Sequence, residues 1–278
     1  MCYSYAYIFN PHPDRSGILP VDRCIDEIRL AKRQRPIRCV IFKDDRFLSH
    51  EREWIEAFSN EYKREVGLPF IISIAPQTLD RIKLMLLKDA GLIIVLVDII
   101  SGSERVIANL LQRRISHSYL ILSSQILYDS NVIVMYGLAI DNPFETEDDR
   151  IETITVMTNL KKPFLIRTLP FASVSKDILS SERKMDAGPK SNDYHKRLLS
   201  ITPYIPRSII RFLNKPEIDR NVIHTLLLNV LCLITGLFIK PLSVISMVAR
   251  SSYLNPSRAI ITFFLILNRK RMFKPLLD

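Results

Sequence analysis

Glycine is scarce in this sequence, with 7 glycines against 16 prolines among 278 residues. Average usage of about 7% would give roughly 19 glycines in a chain of this length. Loops that hold phosphates and nucleotide cofactors use glycine because the backbone must approach the ligand closely. The shortage therefore argues against a tight nucleotide pocket.

The sequence also lacks paired cysteines and paired histidines. Its four cysteines stand far apart and no charged and apolar leader opens the chain, so a reducing cytoplasm is expected. Cys39 and Cys232 lie in apolar runs and are interpreted as small buried hydrophobic residues. Because no two histidines have the spacing of metal ligands, no metal is assigned to His12, His50, His117, His195 or His224.

Positive charge exceeds negative charge, with a net charge of +10 and a pI near 9.5. The basic residues are scattered, and the dense groups at Lys32–Arg35 and Arg269–Arg271 carry no interleaved aromatics. Nucleic-acid binding is therefore not expected. A solvated helix end explains the first group, and contact with acidic lipid headgroups remains open for the second.

Apolar runs alternate with helical patterns through the first 170 residues. This alternation predicts an α/β fold, a partial (βα)6 TIM-like barrel with an α-helical C-terminal region. The predicted strands cover residues 2–9, 37–42, 70–74, 92–97, 132–140 and 164–169. The predicted helices cover residues 21–33, 52–64, 79–88, 104–113, 118–127 and 146–160.

Three of the strands end abruptly in polar residues, at Val40–Phe47, Ile99–Arg105 and Asp141–Thr146. A parallel strand followed by a helix delivers its last side chains to the C-terminal rim of a barrel, which is where barrel enzymes carry their sites. The three stretches are therefore the first candidates for a functional site.

In this order and spacing, the three stretches resemble the radical S-adenosylmethionine (SAM) superfamily, most closely the branch that often carries a cobalamin-binding domain upstream. There the strands typically end in Asp-Asp-x-Phe, Gly-x-Glu-Ser-Gly-Ser and Gly-x-Pro-x-Glu-Thr. The resemblance covers roughly residues 1–175. It implies a 4Fe-4S cluster and SAM, often with cobalamin, and cleavage of SAM to a radical that abstracts hydrogen.

The cluster-binding thiolates of that family have no counterpart in this sequence. The family carries Cys-x-x-x-Cys-x-aromatic-Cys in a loop after the first strand. With Tyr7 on the aromatic position, the thiolate positions fall on Met1, Tyr5 and Ile8, while Cys2 is one residue out of register. None of these three residues can replace a thiolate on iron.

The family's SAM-binding motifs are retained only in part. Ile100 replaces the Glu that helps to hold SAM, and Asp98 and Asp141 replace glycines. The resemblance implies that the remaining pocket is lined by Tyr7, Asp44, Ser101, Gly102, Ser103, Asn142 and Pro143. Two interpretations of residues 101–103 stay open, an anion site at a helix N-terminus or plain capping of the helix.

Asp44 and Asp45 at the end of the second strand invite a similar choice. Paired carboxylates could bind magnesium or act as general acid and base. The preferred interpretation is that one caps the next helix or binds loop amides, because no third ligand lies nearby in the sequence. The resemblance places Asp44 on the SAM side of the barrel.

The chain divides by composition into a degenerate radical-SAM-like partial barrel over 1–175, a polar linker over 176–193 and a helical region over 194–278. Apolar runs lie at Asn221–Ile239 and Ala259–Leu267. They are compatible with three alternatives: a helical appendage packed on the barrel or on a partner, an interfacial anchor on anionic lipid, or a transmembrane helix. We expect peripheral membrane contact through residues 205–274 at the inner face of the membrane.

Three hypotheses for function follow. A radical-SAM-like protein without the cluster ligands and the SAM-binding Glu would carry out no radical chemistry by itself, and no cofactor is then expected in this chain. Alternatively, the chain is a fragment of an active cobalamin-dependent enzyme that performs methyl transfer or ring rearrangement on a lipid or pigment precursor. The third hypothesis is a non-catalytic, membrane-associated scaffold.

Overall fold

A computed structural model of the protein describes residues 5–9, 20–44, 46–111, 116–140, 142–171, 193–214 and 222–251, with Thr262 and Ile266. The strands are β1 Tyr5–Phe9, β2 Cys39–Lys43, β3 Phe70–Ile74, β4 Leu92–Ile100, β5 Ile133–Ile140 and β6 Leu165–Pro170. The helices before β6 are α1 Val21–Gln34, α2 Arg52–Glu65, α3 Arg81–Ala90, α4 Glu104–Leu111, α5 His117–Asp129 and α6 Glu147–Asn159. They are followed by α7 Asp193–Ile201, α8 Arg207–Leu213, α9 Val222–Ile234 and α10 Lys240–Ser251.

The strands are hydrogen-bonded in chain order, β1-β2-β3-β4-β5-β6, in one sheet. The pairs β1·β2, β2·β3 and β3·β4 are parallel, with Val40 opposite Phe70 and Ile71 opposite Ile94. Helices connect successive strands, as parallel pairing requires. The protein therefore has the α/β fold of a partial barrel, which confirms the prediction from the alternating runs.

The chain forms two compact units. The first contains β1, β2, β3, most of β4 and helices α1 to α3. Strands β2 and β3 are buried on both faces, since Val40, Ile41, Ile71 and Ile72 are fully inaccessible to solvent. Continuous β-branched runs of this kind form strands that are covered on both sides.

The second unit contains the end of β4, α4, most of α5 and β5, α6, β6 and helices α7 to α9. Here β4 continues beyond the predicted end at Val97, because Asp98 points to solvent while Ile99 is buried. The strand ends at Ile100, whose φ of 69° lies in the left-handed region. A β-branched residue rarely adopts this conformation, so the chain turns sharply here at a cost in strain.

The apolar helix near the C-terminus is longer than the run that suggested it. The sequence bounds the run at Lys240 and the next residue is Pro241, yet the helix continues through both to Ser251. A proline lacks an amide proton and clashes with the carbonyl four residues earlier. The π-helical turn Thr235–Ile239 directly precedes this proline, and the wider turn explains how the helix accommodates the ring.

Candidate functional site

The loop between β4 and α4 is closed to solvent. The side chains of Ser101 and Ser103 are fully buried, and Gly102 between them is buried as well. The amide of Ser103 donates to the hydroxyl of Ser101 at 3.2 Å. An open anion site at this corner would present free amides to solvent, whereas this loop turns its donors inward.

A carboxyl group from the turn after β5 binds the first serine. The hydroxyl of Ser101 donates to Oε1 of Glu145 at 2.6 Å, and Glu145 itself is buried. Burial raises the pKa of the Glu145 carboxyl to about 7, although the hydrogen bond from Ser101 and the nearby charge of Arg150 oppose this rise. Glu145 is therefore a buried acid that changes protonation near neutral pH.

A second carboxyl group, on the first turn of α6, binds the other serine. The hydroxyl of Ser103 donates to Oδ1 of Asp149 at 2.6 Å, and Arg105 makes an ion pair with the same carboxylate. Asp149 also forms a capping box with Thr146. Burial raises the pKa of Asp149, but the hydrogen bonds from Arg105, Ser103 and Thr146 outweigh it and hold the pKa below its usual range.

Gly102 lies directly against the backbone of α6. Its amide donates to Oγ1 of Thr153 at 2.9 Å, and the same oxygen donates to the carbonyl of Asp149 at 2.9 Å. A Cβ atom on Gly102 would lie 2.5 Å from Cα of Thr153. This close approach explains why the loop needs glycine at a position where φ is not left-handed.

Asn142 and Pro143 form the start of the turn that carries Glu145. Oδ1 of the buried Asn142 accepts from the amide of Phe144 at 3.0 Å, and its backbone carbonyl accepts from the amide of Glu145 at 3.3 Å. Nδ2 of Asn142 has no hydrogen-bond partner among the described residues. Pro143 is partly exposed. Both residues thus shape the turn that positions the carboxyl group of Glu145.

Sequence reasoning missed His117 at this corner. Its Nε2 lies 2.8 Å from the carbonyl of Gly102 and 3.3 Å from Oε1 of Glu152. Among the predicted site residues, the structure brings Ser101, Gly102 and Ser103 into one hydrogen-bonded cluster, which Glu145, Asp149 and Thr153 complete. Acidic residues are favoured in the first turn of a helix, which is consistent with the place of Asp149, but no local signal paired it with Ser103, 46 residues away.

Asp44 lies in the first unit and is described there by itself. Its Oδ1 accepts from the amide of Arg46 at 2.9 Å, which is the loop-amide contact that the preferred interpretation predicts. Nε2 of His50 is 4.0 Å from Oδ2 of Asp44, and the His50 ring stacks on Trp54 with centroids 4.1 Å apart. Burial lowers the pKa of His50 despite this carboxylate. A role for Asp44 in lining a cofactor pocket remains a prediction.

Two of the three positions that the resemblance assigns to cluster ligands lie inside a paired strand. Tyr5 is opposite Cys39 in β2, and Ile8 is opposite Phe42, so both positions belong to β1. The sequence predicts a strand over residues 2–9, and the structure confirms it at Tyr5–Phe9, because tyrosine and isoleucine favour the extended backbone and β2 supplies the pairing partner. Met1 and Asp45 lie outside the described residues. For Tyr7 and the rest of β1, the structure describes the backbone alone.

The residues that the structure describes offer no site that fits the cofactors which the resemblance implies. Over the described ranges, no group of three His, Cys, Asp or Glu side chains could hold a metal ion. Burial raises the pKa of the Cys24 thiol to about 12 and also raises that of Cys39, which disfavours the thiolate that iron requires. At the SAM position the serine hydroxyls and the Gly102 amide are bound to protein groups.

Comparison with solved structures finds several radical SAM enzymes among the matches. The radical SAM methyltransferase TsrM from Kitasatospora setae is 14% identical with a TM-score of 0.45, covering 58% of this chain and 35% of that chain. Coproporphyrinogen III oxidase HemN from Escherichia coli is 12% identical with a TM-score of 0.48, covering 75% and 51%. The cobalamin-dependent SAM radical enzyme OxsB is 11% identical with a TM-score of 0.47, covering 94% and 52%.

No family model matches the chain. No curated protein matches it either. The chain spans about a third to a half of the length of the three solved structures. With TM-scores below 0.5, these likenesses say nothing about the substrate or cofactor of this chain.

Proposed function

We propose that this protein is a radical-SAM-like partial barrel that carries out no radical chemistry by itself. One observation supports the proposal most strongly: the corner after β4 is closed by the protein's own carboxyl groups. The hydroxyls of Ser101 and Ser103, which the resemblance assigns to SAM, donate their hydrogen bonds to Glu145 and Asp149. The ligand's place at these hydroxyls is thus taken by internal hydrogen bonds.

Binding SAM at this corner would require these internal bonds to break. Each hydrogen bond contributes about 1 kcal/mol net, and a buried carboxylate left without its donor loses more. The carboxylate of SAM would also approach the acids Glu145 and Asp149, of which Asp149 stays ionised at neutral pH. Like charges at close range oppose binding. The corner therefore serves as a structural clamp between the end of β4 and α6.

We expect anaerobic reconstitution with iron and sulfide to leave the purified chain without a stoichiometric 4Fe-4S cluster. Two of the ligand positions hold Tyr5 and Ile8 within β1, and neither side chain can replace the thiolate that holds an iron-sulfur cluster. Iron and sulfide analysis with absorption spectroscopy measures the outcome, and equilibrium dialysis with SAM measures cofactor binding. A radical SAM enzyme with three cluster cysteines, treated in parallel, controls for the reconstitution itself.

Near-stoichiometric iron and sulfide with thiolate-to-iron absorption would contradict the proposal. Binding of SAM without a cluster would contradict only the closed corner. Replacing Ser101 and Ser103 together by alanine shows whether such SAM is bound at this corner, because SAM bound to the two hydroxyls would then be lost.

A second candidate function, a membrane-associated scaffold, is favoured by the surface of α9 and α10. The helix His224–Arg250 has 27 residues, is strongly apolar and is mostly exposed, so by length and composition it could cross a membrane. Large exposed apolar patches mark protein or membrane contacts. With the net charge of +10, we favour peripheral contact with anionic lipid through residues 205–274, at the inner face of the cytoplasmic membrane.

Membrane fractionation tests this second proposal. We expect the chain to sediment with membranes at low salt and to be released by high salt or alkaline carbonate, because basic residues and a partly inserted face hold it peripherally. Retention through both treatments would show a spanning helix. Absence from membranes at low salt would show that the proposal is wrong.

A further inference from the structure

The exposed apolar residues of α9 and α10 lie on one side of the helix. Leu226 is 62% exposed and Leu242 is 66% exposed, values that core residues never show. Residues on one face of an α-helix recur every three or four positions. Six of the exposed apolar residues recur along one line, which we name the apolar stripe: Leu226, Val230, Leu233, Leu237, Leu242 and Ile245, with Leu227, Ile234 and Phe238 exposed beside it.

The spacing within the apolar stripe changes at one point. From Leu226 to Leu237 the members are four, three and four positions apart, as in an α-helix. From Leu237 to Leu242 the spacing is five, which would place Leu242 well off the line in an uninterrupted α-helix. The π-helical turn Thr235–Ile239 takes up about one extra residue at this point. It therefore keeps Leu242 and Ile245 in line with the earlier members.

The opposite side of the same helix packs against its own unit. Leu228 and Thr235 are buried, and Asn229 accepts a hydrogen bond from Arg197 of α7. The ammonium group of Lys240 lies 5.7 Å from the centre of the Tyr204 ring. A helix held along this side would have to leave the unit to cross a bilayer, whereas its free side can contact a membrane surface without that change.

We infer that the apolar stripe lies flat in the interfacial layer of an anionic bilayer and that the π turn aligns its two halves for this contact. The inference rests on the proposed membrane association and adds the orientation and the residues. Lipid is the occupant that fits, because the stripe is one-sided and the chain is basic, with a net charge of +10 and basic residues that follow the helix at Arg258 and Arg269–Arg271.

Two variants of the full chain, each with a helix changed in length by one residue, test whether membrane binding depends on the alignment of the two halves of the apolar stripe. Both keep every apolar side chain of the stripe. Deleting Gly236 lets the π turn become an α turn, and the members on both sides stay in line. Inserting one alanine between Ile239 and Lys240 rotates Leu242 and Ile245 by about 100° away from the first half. Gly236 lies where even an added Cβ would meet no other atom within 4 Å.

Flotation with vesicles of phosphatidylcholine and phosphatidylglycerol measures the affinity of each protein. We expect the deletion to bind within about twofold of the unaltered chain and the insertion to bind at least tenfold more weakly. Circular dichroism should show equal helix content in all three. Equal binding by the two variants, or weaker binding by the deletion, would overturn the inference. If the unaltered chain does not float with these vesicles, the proposed membrane contact itself fails and the inference fails with it.

Discussion

Replacing Gly102 by alanine should lower the free energy of unfolding by about 3 kcal/mol. The new Cβ would lie 2.5 Å from Cα of Thr153, and a backbone atom cannot move aside as a flexible side chain can. To make room, α6 must shift away from the loop, and that shift would lengthen the bonds of Glu145 and Asp149 to the two serines. Urea unfolding followed by circular dichroism measures the loss.

Gly236→Ala is the matched control for this substitution. No atom lies within 4 Å of a Cβ built on Gly236, so the same added methyl group meets only open space. Alanine is also the better helix former by about 1 kcal/mol. We expect this variant to equal or exceed the unaltered protein in stability. An equal loss in both variants would show that the contact between Gly102 and α6 does not decide the result.

The stability of the Glu145→Gln variant relative to the unaltered protein should be about 3 kcal/mol higher at pH 8 than at pH 4.5. Burial raises the pKa of Glu145 in the folded protein to about 7, against an ordinary value of 4.5. The folded state therefore binds more protons than the unfolded state between these values, so stability falls as the pH rises through this window. Glutamine keeps an acceptor for Ser101 and has no proton to lose, and the difference of about 2.5 pKa values corresponds to about 3 kcal/mol.

The measurement is the difference in unfolding free energy between the two proteins from pH 3 to pH 8. Because Asp149 has a lowered pKa, the stability it contributes is lost only as the pH falls below its ordinary value of 3.8, and it is lost in both proteins. That loss cancels in the difference and serves as an internal control. A difference that stays constant between pH 4.5 and 8 would mean that Glu145 titrates normally.

The sequence predicted the arrangement of strands and helices well, because apolar periodicity determines it. Strand β3 was predicted at its observed bounds, and α1 and α2 within one residue of their ends. Errors arose where tertiary packing overrode a local signal in the sequence. Asp98 suggested the end of β4, yet a single outward-facing carboxylate does not interrupt a strand whose next residue, Ile99, is buried.

The candidate site was predicted only in part. Motif resemblance identified Ser101, Gly102 and Ser103, but it assigned them to a ligand, whereas the structure pairs them with Glu145 and Asp149. Those pairs join residues more than 40 positions apart, and no periodicity carries that information. The capping box of Thr146 and Asp149 is a feature that local sequence could have indicated, since capping depends on neighbours in the sequence.

The clamp also bears on the order in which the chain folds. Its three direct links, from Ser101, Gly102 and Ser103 to Glu145, Thr153 and Asp149, close loops of 44, 51 and 46 residues. Closing loops of this length costs entropy that only the completed contacts repay, so these links form after the local helices and strands between them. The amide proton of Gly102, held by a threonine side chain rather than by a ladder partner, can then exchange with solvent only when α6 detaches. Its exchange rate would report the opening of this one junction, separately from the unfolding of the sheet.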